Sequence, residues 1–149
     1  MTAASALAQI DTATLSVNVS TAARLSLSSS SLSFPDADPD TVPLIPGTPG
    51  TLSITAKARA TRGATVTLTM QASDDLRSGV NTIPASTISW TVSGPGFVNG
   101  TVSRTTPRTV GSWTGSGVRT GDQSFAFVNS WTYPTGTYSL SLLYTLTSP

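Results

Sequence analysis

The 149-residue chain has no cysteine, no histidine and no glutamate, and lysine occurs once, at Lys57. Without cysteine there is no disulfide framework and no thiolate metal site. Without histidine the usual general base is missing, and Ser-His-Asp and Cys-His arrangements cannot be built. Charge is also scarce. Charged residues make up 10% of the chain, all seven acids are aspartate, and the net charge is +1. The arginines read as scattered along the chain, so no basic field is expected to hold a phosphate backbone, and nucleic acid is not an expected partner. No apolar run approaches the roughly 20 residues of a membrane-spanning helix.

Hydroxyls take the place of charge. About a third of the residues are Ser or Thr, and Thr and Val suit the pleated surface of a strand. Alternation of apolar and polar residues recurs along the chain, and no segment has helical periodicity. Ala13, Leu15, Val17 and Val19 alternate with Thr14, Ser16 and Asn18. Leu25 and Leu27 follow, then Leu32 and Phe34. Leu52, Ile54, Ala56 and Ala58 share one face, as do Val66, Leu68, Met70 and Ala72, and Arg62-Gly63 between them suggests a hairpin. Ile88, Trp90 and Val92 form a strand. Asn99-Gly100 between apolar pairs suggests a type I′ turn. Residues 109–119 read as a weaker strand around Val110, Trp113 and Val118, and Phe125 and Phe127 mark another. Residues 35–50 carry five prolines and read as a loop, because each proline lacks a ladder donor.

About eight or nine short strands of this kind predict an all-β, immunoglobulin-like antiparallel sandwich. Residues 1–8 read as the remnant of an export signal, since Ala6-Leu7-Ala8 fits the small-x-small cleavage pattern. Residues 9–20 read as an N-terminal strand and residues 21–149 as the sandwich. The expected location is extracellular, at the cell surface.

Chemistry-bearing groups are few. Lys57 sits mid-strand, and Asp74-Asp75 reads as a turn ending the Val66–Ala72 strand. No catalytic residue is identified, and the chain is not expected to be an enzyme. Asp36-Ala-Asp38-Pro-Asp40 is the one spacing that could gather hard oxygens around Ca²⁺, but it lacks the glycine and glutamate of an EF-hand loop. Trp113, Trp131 and Tyr133 are the candidate stacking platform for a polysaccharide.

At its end the chain reads Pro134-Thr-Gly136-Thr-Tyr138, then Leu140, Leu142, Tyr144 and Leu146 in alternation. Gly136 is fourteenth from the C-terminus. A tyrosine so placed is similar to the tyrosine corner of immunoglobulin-like sandwiches. With the Ala13–Val19, Leu25–Leu27 and Leu32–Phe34 segments, this ending resembles the pilin subunits of chaperone–usher fimbriae and their spore coat protein U relatives. The resemblance implies a sandwich lacking one strand, completed by a neighbour. Ala13, Leu15, Val17 and Val19 would be donated, and the Gly136–Leu146 row would accept them, giving a homopolymeric filament or surface layer. The chain departs from that family in having no disulfide and in carrying Ser148 where an aromatic residue is expected. The other function expected from the sequence is a secreted carbohydrate-binding or adhesive module.

Overall fold

The computed structural model describes residues 11–149 together with Thr2 and Gln9. The export-signal reading of residues 1–8 falls, apart from Thr2, outside the described residues. The protein is an all-β sandwich. Its strands are β1 (Ala22–Leu27), β2 (Leu44–Pro46), β3 (Leu52–Arg59), β4 (Thr65–Ala72), β5 (Leu76–Ser78), β6 (Asn81–Ile83), β7 (Ile88–Ser93), β8 (Gly100–Thr101), β9 (Arg108–Thr114), β10 (Gly117–Val128) and β11 (Leu142–Thr147). One sheet has the order β1-β3-β10-β7-β8, with β2 also on β10; the other has the order β11-β4-β9. β5 and β6 form a small separate hairpin. All pairings are antiparallel.

Alternation set the faces as expected. Ile54 and Ala56 of β3 and Val66, Leu68, Met70 and Ala72 of β4 are buried, and they meet Trp90, Val110, Trp113 and Phe125 in one core. Ser53, Lys57 and Arg59 point out. β3 and β4 do not form the expected hairpin. They belong to opposite sheets, and the turn at Arg62-Gly63 arches between them. Both strands bury their apolar faces, and facing each other across the core lets both be covered at once.

Four other expectations are corrected. Residues 109–119 are not one strand: Gly115, at φ 74°, and Gly117 turn the chain from β9 into β10. β10 then runs 12 residues through the middle of its sheet, and its pattern is obscured because Gly121 and Gln123 occupy inward positions. The turn at Asn99-Gly100 is not type I′, since neither residue has positive φ. The reversal comes earlier, at Gly94-Pro95-Gly96, where Gly94 and Gly96 have φ of 122° and 79°. Asn99 instead uses its side-chain oxygen to accept from the Val92 N–H at 2.8 Å. Leu32 and Phe34 pack on the core from a segment with only one isolated bridge, Ser33 to Thr48. Within the proline-rich stretch, Leu44–Pro46 does form a three-residue strand against the end of β10. It ends at Pro46, where the ladder donor is lost.

Candidate functional site

Both sheets stop on the same side of the molecule. Among the described residues β1 pairs only with β3 and β11 only with β4, so each leaves one edge without a strand partner there. The two edges lie beside each other across a seam. Leu25 and Leu27 of β1 and Leu142, Tyr144 and Leu146 of β11 pack against the core from the edges of this seam, but all five are only half-buried. Residues of the central strands, such as Ile54 and Leu68, are fully buried. The core is therefore well covered in the middle and thinly covered along the seam.

The approach to β11 is held by Tyr138, whose hydroxyl donates to the Pro134 carbonyl at 2.7 Å. This is the corner expected from the sequence. Gly136 lies hard against β5, where a Cβ would sit 2.3 Å from Ser78 Oγ. Ser139 exchanges two backbone bonds with Arg77 at 3.0 Å. Of the expected accepting row, Leu142, Tyr144 and Leu146 lie in β11, while Gly136, Tyr138 and Leu140 precede it.

Beneath the row lies a polar pair that the sequence reading missed. Gln123 of β10 is completely buried. Its Oε1 accepts from the Tyr144 hydroxyl at 2.6 Å, while its Nε2 has no partner among the described residues. Burial pushes the Tyr144 phenol well above its ordinary range.

Ala13, Leu15, Val17 and Val19 do not form a strand in their own subunit. All of residues 11–21 are exposed and outside every sheet. Leu15, Val17 and Val19 are 91%, 77% and 66% exposed. This tail leaves the body at Ala22, which is paired with Arg59.

The expected aromatic platform is not assembled. Trp113 is in the core, edge-on to Phe97 at 4.9 Å, with its indole N–H donating to the Pro95 carbonyl at 2.7 Å. It fits because Gly96 and Gly111 lack side chains; a Cβ at Gly111 would come within 2.4 Å of the ring. Tyr133 is half-buried, 5.7 Å from Phe127, and its hydroxyl donates to the Val128 carbonyl at 3.0 Å. Only Trp131 is open, at 69% exposure, and its indole N–H donates to Asp40 Oδ1 at 3.1 Å.

Asp36, Asp38 and Asp40 do not form a calcium cluster. Among the described residues, no three acidic side chains come together closely enough to hold a metal. Asp38 Oδ1 accepts from the Asp40 N–H at 2.9 Å, a local turn bond that points the carboxylate at its own backbone. Asp74 and Asp75 likewise serve structure. Asp74 pairs with Arg77, and Asp75 pairs with Arg104 at 3.1 Å and accepts from the Ala85 N–H at 2.9 Å. The hydrogen bond from Arg77 holds the Asp74 carboxyl below its usual range.

The cations are not scattered in space. Arg24, Lys57, Arg59, Arg62 and Arg119 come together at the end of the sandwich from which the tail departs. Sheet register brings them there, and linear spacing does not reveal it. No helix among the described residues is long and apolar enough to cross a membrane. Comparison with protein-family models, with curated proteins and with solved structures finds no match to this chain.

Proposed function

We propose that this chain is an exported, non-catalytic structural subunit of a filament or surface layer, in which the tail of one copy completes the sandwich of the next along the β1–β11 seam. One pairing of observations carries the reading. A segment with Leu15, Val17 and Val19 exposed outside any sheet accompanies a half-covered apolar row between two unpaired strand edges. Each feature alone is a liability in water, because an open edge invites pairing and an apolar tail invites burial. Together they are complementary in chemistry and in length. Fully burying three such side chains contributes about 4–8 kcal/mol before the cost of ordering the tail. Backbone pairing along the edge and better cover for Leu142, Tyr144 and Leu146 add to it.

The test uses the full chain carrying Leu15→Asp and Val17→Asp, compared with the parent by sedimentation and negative-stain imaging. The parent should form polymers and the variant should remain monomeric with its body folded. A synthetic peptide of residues 11–21 should raise the melting temperature of the variant. Parent chains that stay monomeric, with no response to the peptide, would remove the proposal.

Trp131 supports a second reading, an adhesive module that stacks a sugar ring on one exposed indole. Polysaccharide should then change the tryptophan fluorescence, and Trp131→Ala should abolish the change.

A further inference from the structure

Thirteen of the fifteen charged side chains of this protein are divided between its two ends. At the end where the tail departs, Arg24, Lys57 and Arg59 lie on the outer face of the first sheet, Arg62 lies in the β3–β4 arch, and Arg119 lies near the start of β10; Asp122 stands further along β10, bonded to Ser53, and Asp11 is on the tail. At the opposite end are Asp36, Asp38 and Asp40 beside the end of β10, and Asp74 and Asp75 beyond the end of β4. There the three remaining cations, Arg77, Arg104 and Arg108, leave a surplus of two negative charges among the side chains. The salt bridges among the described residues all lie at this acidic end.

The basic end is costly for folding alone. Arg24 and Lys57 are direct cross-strand partners, and Arg59 follows on the same face. Like charges placed directly opposite on one sheet face destabilise it. Nor can the acidic end relieve them. β10 spans the gap with 12 residues, which at the rise of a strand is about 36 Å, several times the ~8–10 Å screening length of physiological salt. Within one molecule the two ends do not neutralise each other.

We infer that the basic end of one copy docks against the acidic end of a second copy, a head-to-tail contact separate from strand addition. Opposed ends of one chain make a heterologous contact, which propagates as a row of subunits and does not close as a two-fold dimer. Exposed ion pairs give orientation and encounter rate more than affinity. The contact therefore aligns successive copies, and a tail leaving the basic end is delivered to the acidic end of its neighbour.

The absence of cysteine makes the test direct. Full-length chains carrying Thr61→Cys, beside the basic cluster, are mixed with chains carrying Thr41→Cys, beside Asp40; both positions are exposed. Every charge is retained. Disulfide cross-linking in about 20 mM salt should favour the mixed pair over either like pair by roughly tenfold, and about 0.5 M salt should erase the preference. A statistical mixture of pairs, or a preference indifferent to salt, would overturn the inference. So would statistical cross-linking accompanied by salt-sensitive capture of dextran sulfate at the basic end, which would reassign that end to an acidic polysaccharide. Repeating the experiment with Leu15→Asp and Val17→Asp in both chains separates the two proposals. Mixed pairs that persist in these variants show that docking does not need the tail, and mixed pairs in a parent that forms no polymers leave the docking contact standing and remove strand addition. Polymers in the parent with statistical pairs do the reverse.

Discussion

Removing one oxygen atom, by Tyr144→Phe, should cost this fold more than removing the whole amide it touches. Gln123 is completely buried, and among the described residues the Tyr144 hydroxyl, 2.6 Å from Oε1, is the only partner its carboxamide has. Tyr144→Phe leaves both polar atoms of the amide desolvated and unpaired, a loss of about 1–3 kcal/mol. Gln123→Met keeps the length of the side chain and removes the amide. It frees a tyrosine hydroxyl on a half-buried edge strand, where water can replace the lost partner. Its cost should be smaller than that of Tyr144→Phe, and the Gln123→Met/Tyr144→Phe double variant should be more stable than Tyr144→Phe alone. Urea unfolding of the four chains closes the cycle, with midpoints compared at a common slope. If Gln123→Met costs more than Tyr144→Phe, or the two effects simply add, the buried amide is not a liability sustained by one hydroxyl and the reasoning fails.

Two further outcomes follow from the same geometry. Trp113→Ala should destabilise by about 3–5 kcal/mol, as deletion of a buried aromatic does, while Trp131→Ala should change stability by no more than about 0.5 kcal/mol; thermal or urea unfolding separates them, and equal effects would contradict the placement of the two indoles. Burial raises the phenol of Tyr144 and, more weakly, that of Tyr133 above the ordinary value of 10.0. The folded state thus holds protons that the unfolded state releases, so stability is fully present below about pH 10 and declines as pH rises above it. Ultraviolet titration should show these two tyrosines ionising late or together with unfolding, and simple titration of all tyrosines near pH 10 in the folded chain would refute it.

The faces of the strands were legible in the chain because side chains on a pleat alternate strictly. Leu52 to Ala58 and Val66 to Ala72 could be assigned inside and outside without any knowledge of neighbours, and the end at Tyr138 announced its corner through a single hydroxyl. Neighbours were not legible. The same alternation is satisfied whether two strands pair in one sheet or face each other across a core, so β3 and β4 read as a hairpin and are an arch. Trp113 was a candidate for a surface platform because its flanking glycines resemble a loop, whereas Gly96 and Gly111 are the space the indole fills. The longest strand was hidden by Gly121 and Gln123 at inward positions.

The candidate site divides in the same way. The amino-acid order alone determined an all-β chain without cysteine, histidine or glutamate, with an alternating apolar N-terminal segment, because composition and periodicity are local properties. Tertiary structure alone decided that this segment stays outside every sheet, that the edges of β1 and β11 meet along one seam, and that five cations from distant stretches crowd one end. Those outcomes depend on which strands pair and in what register, and pairing is set by the joint burial of all faces at once.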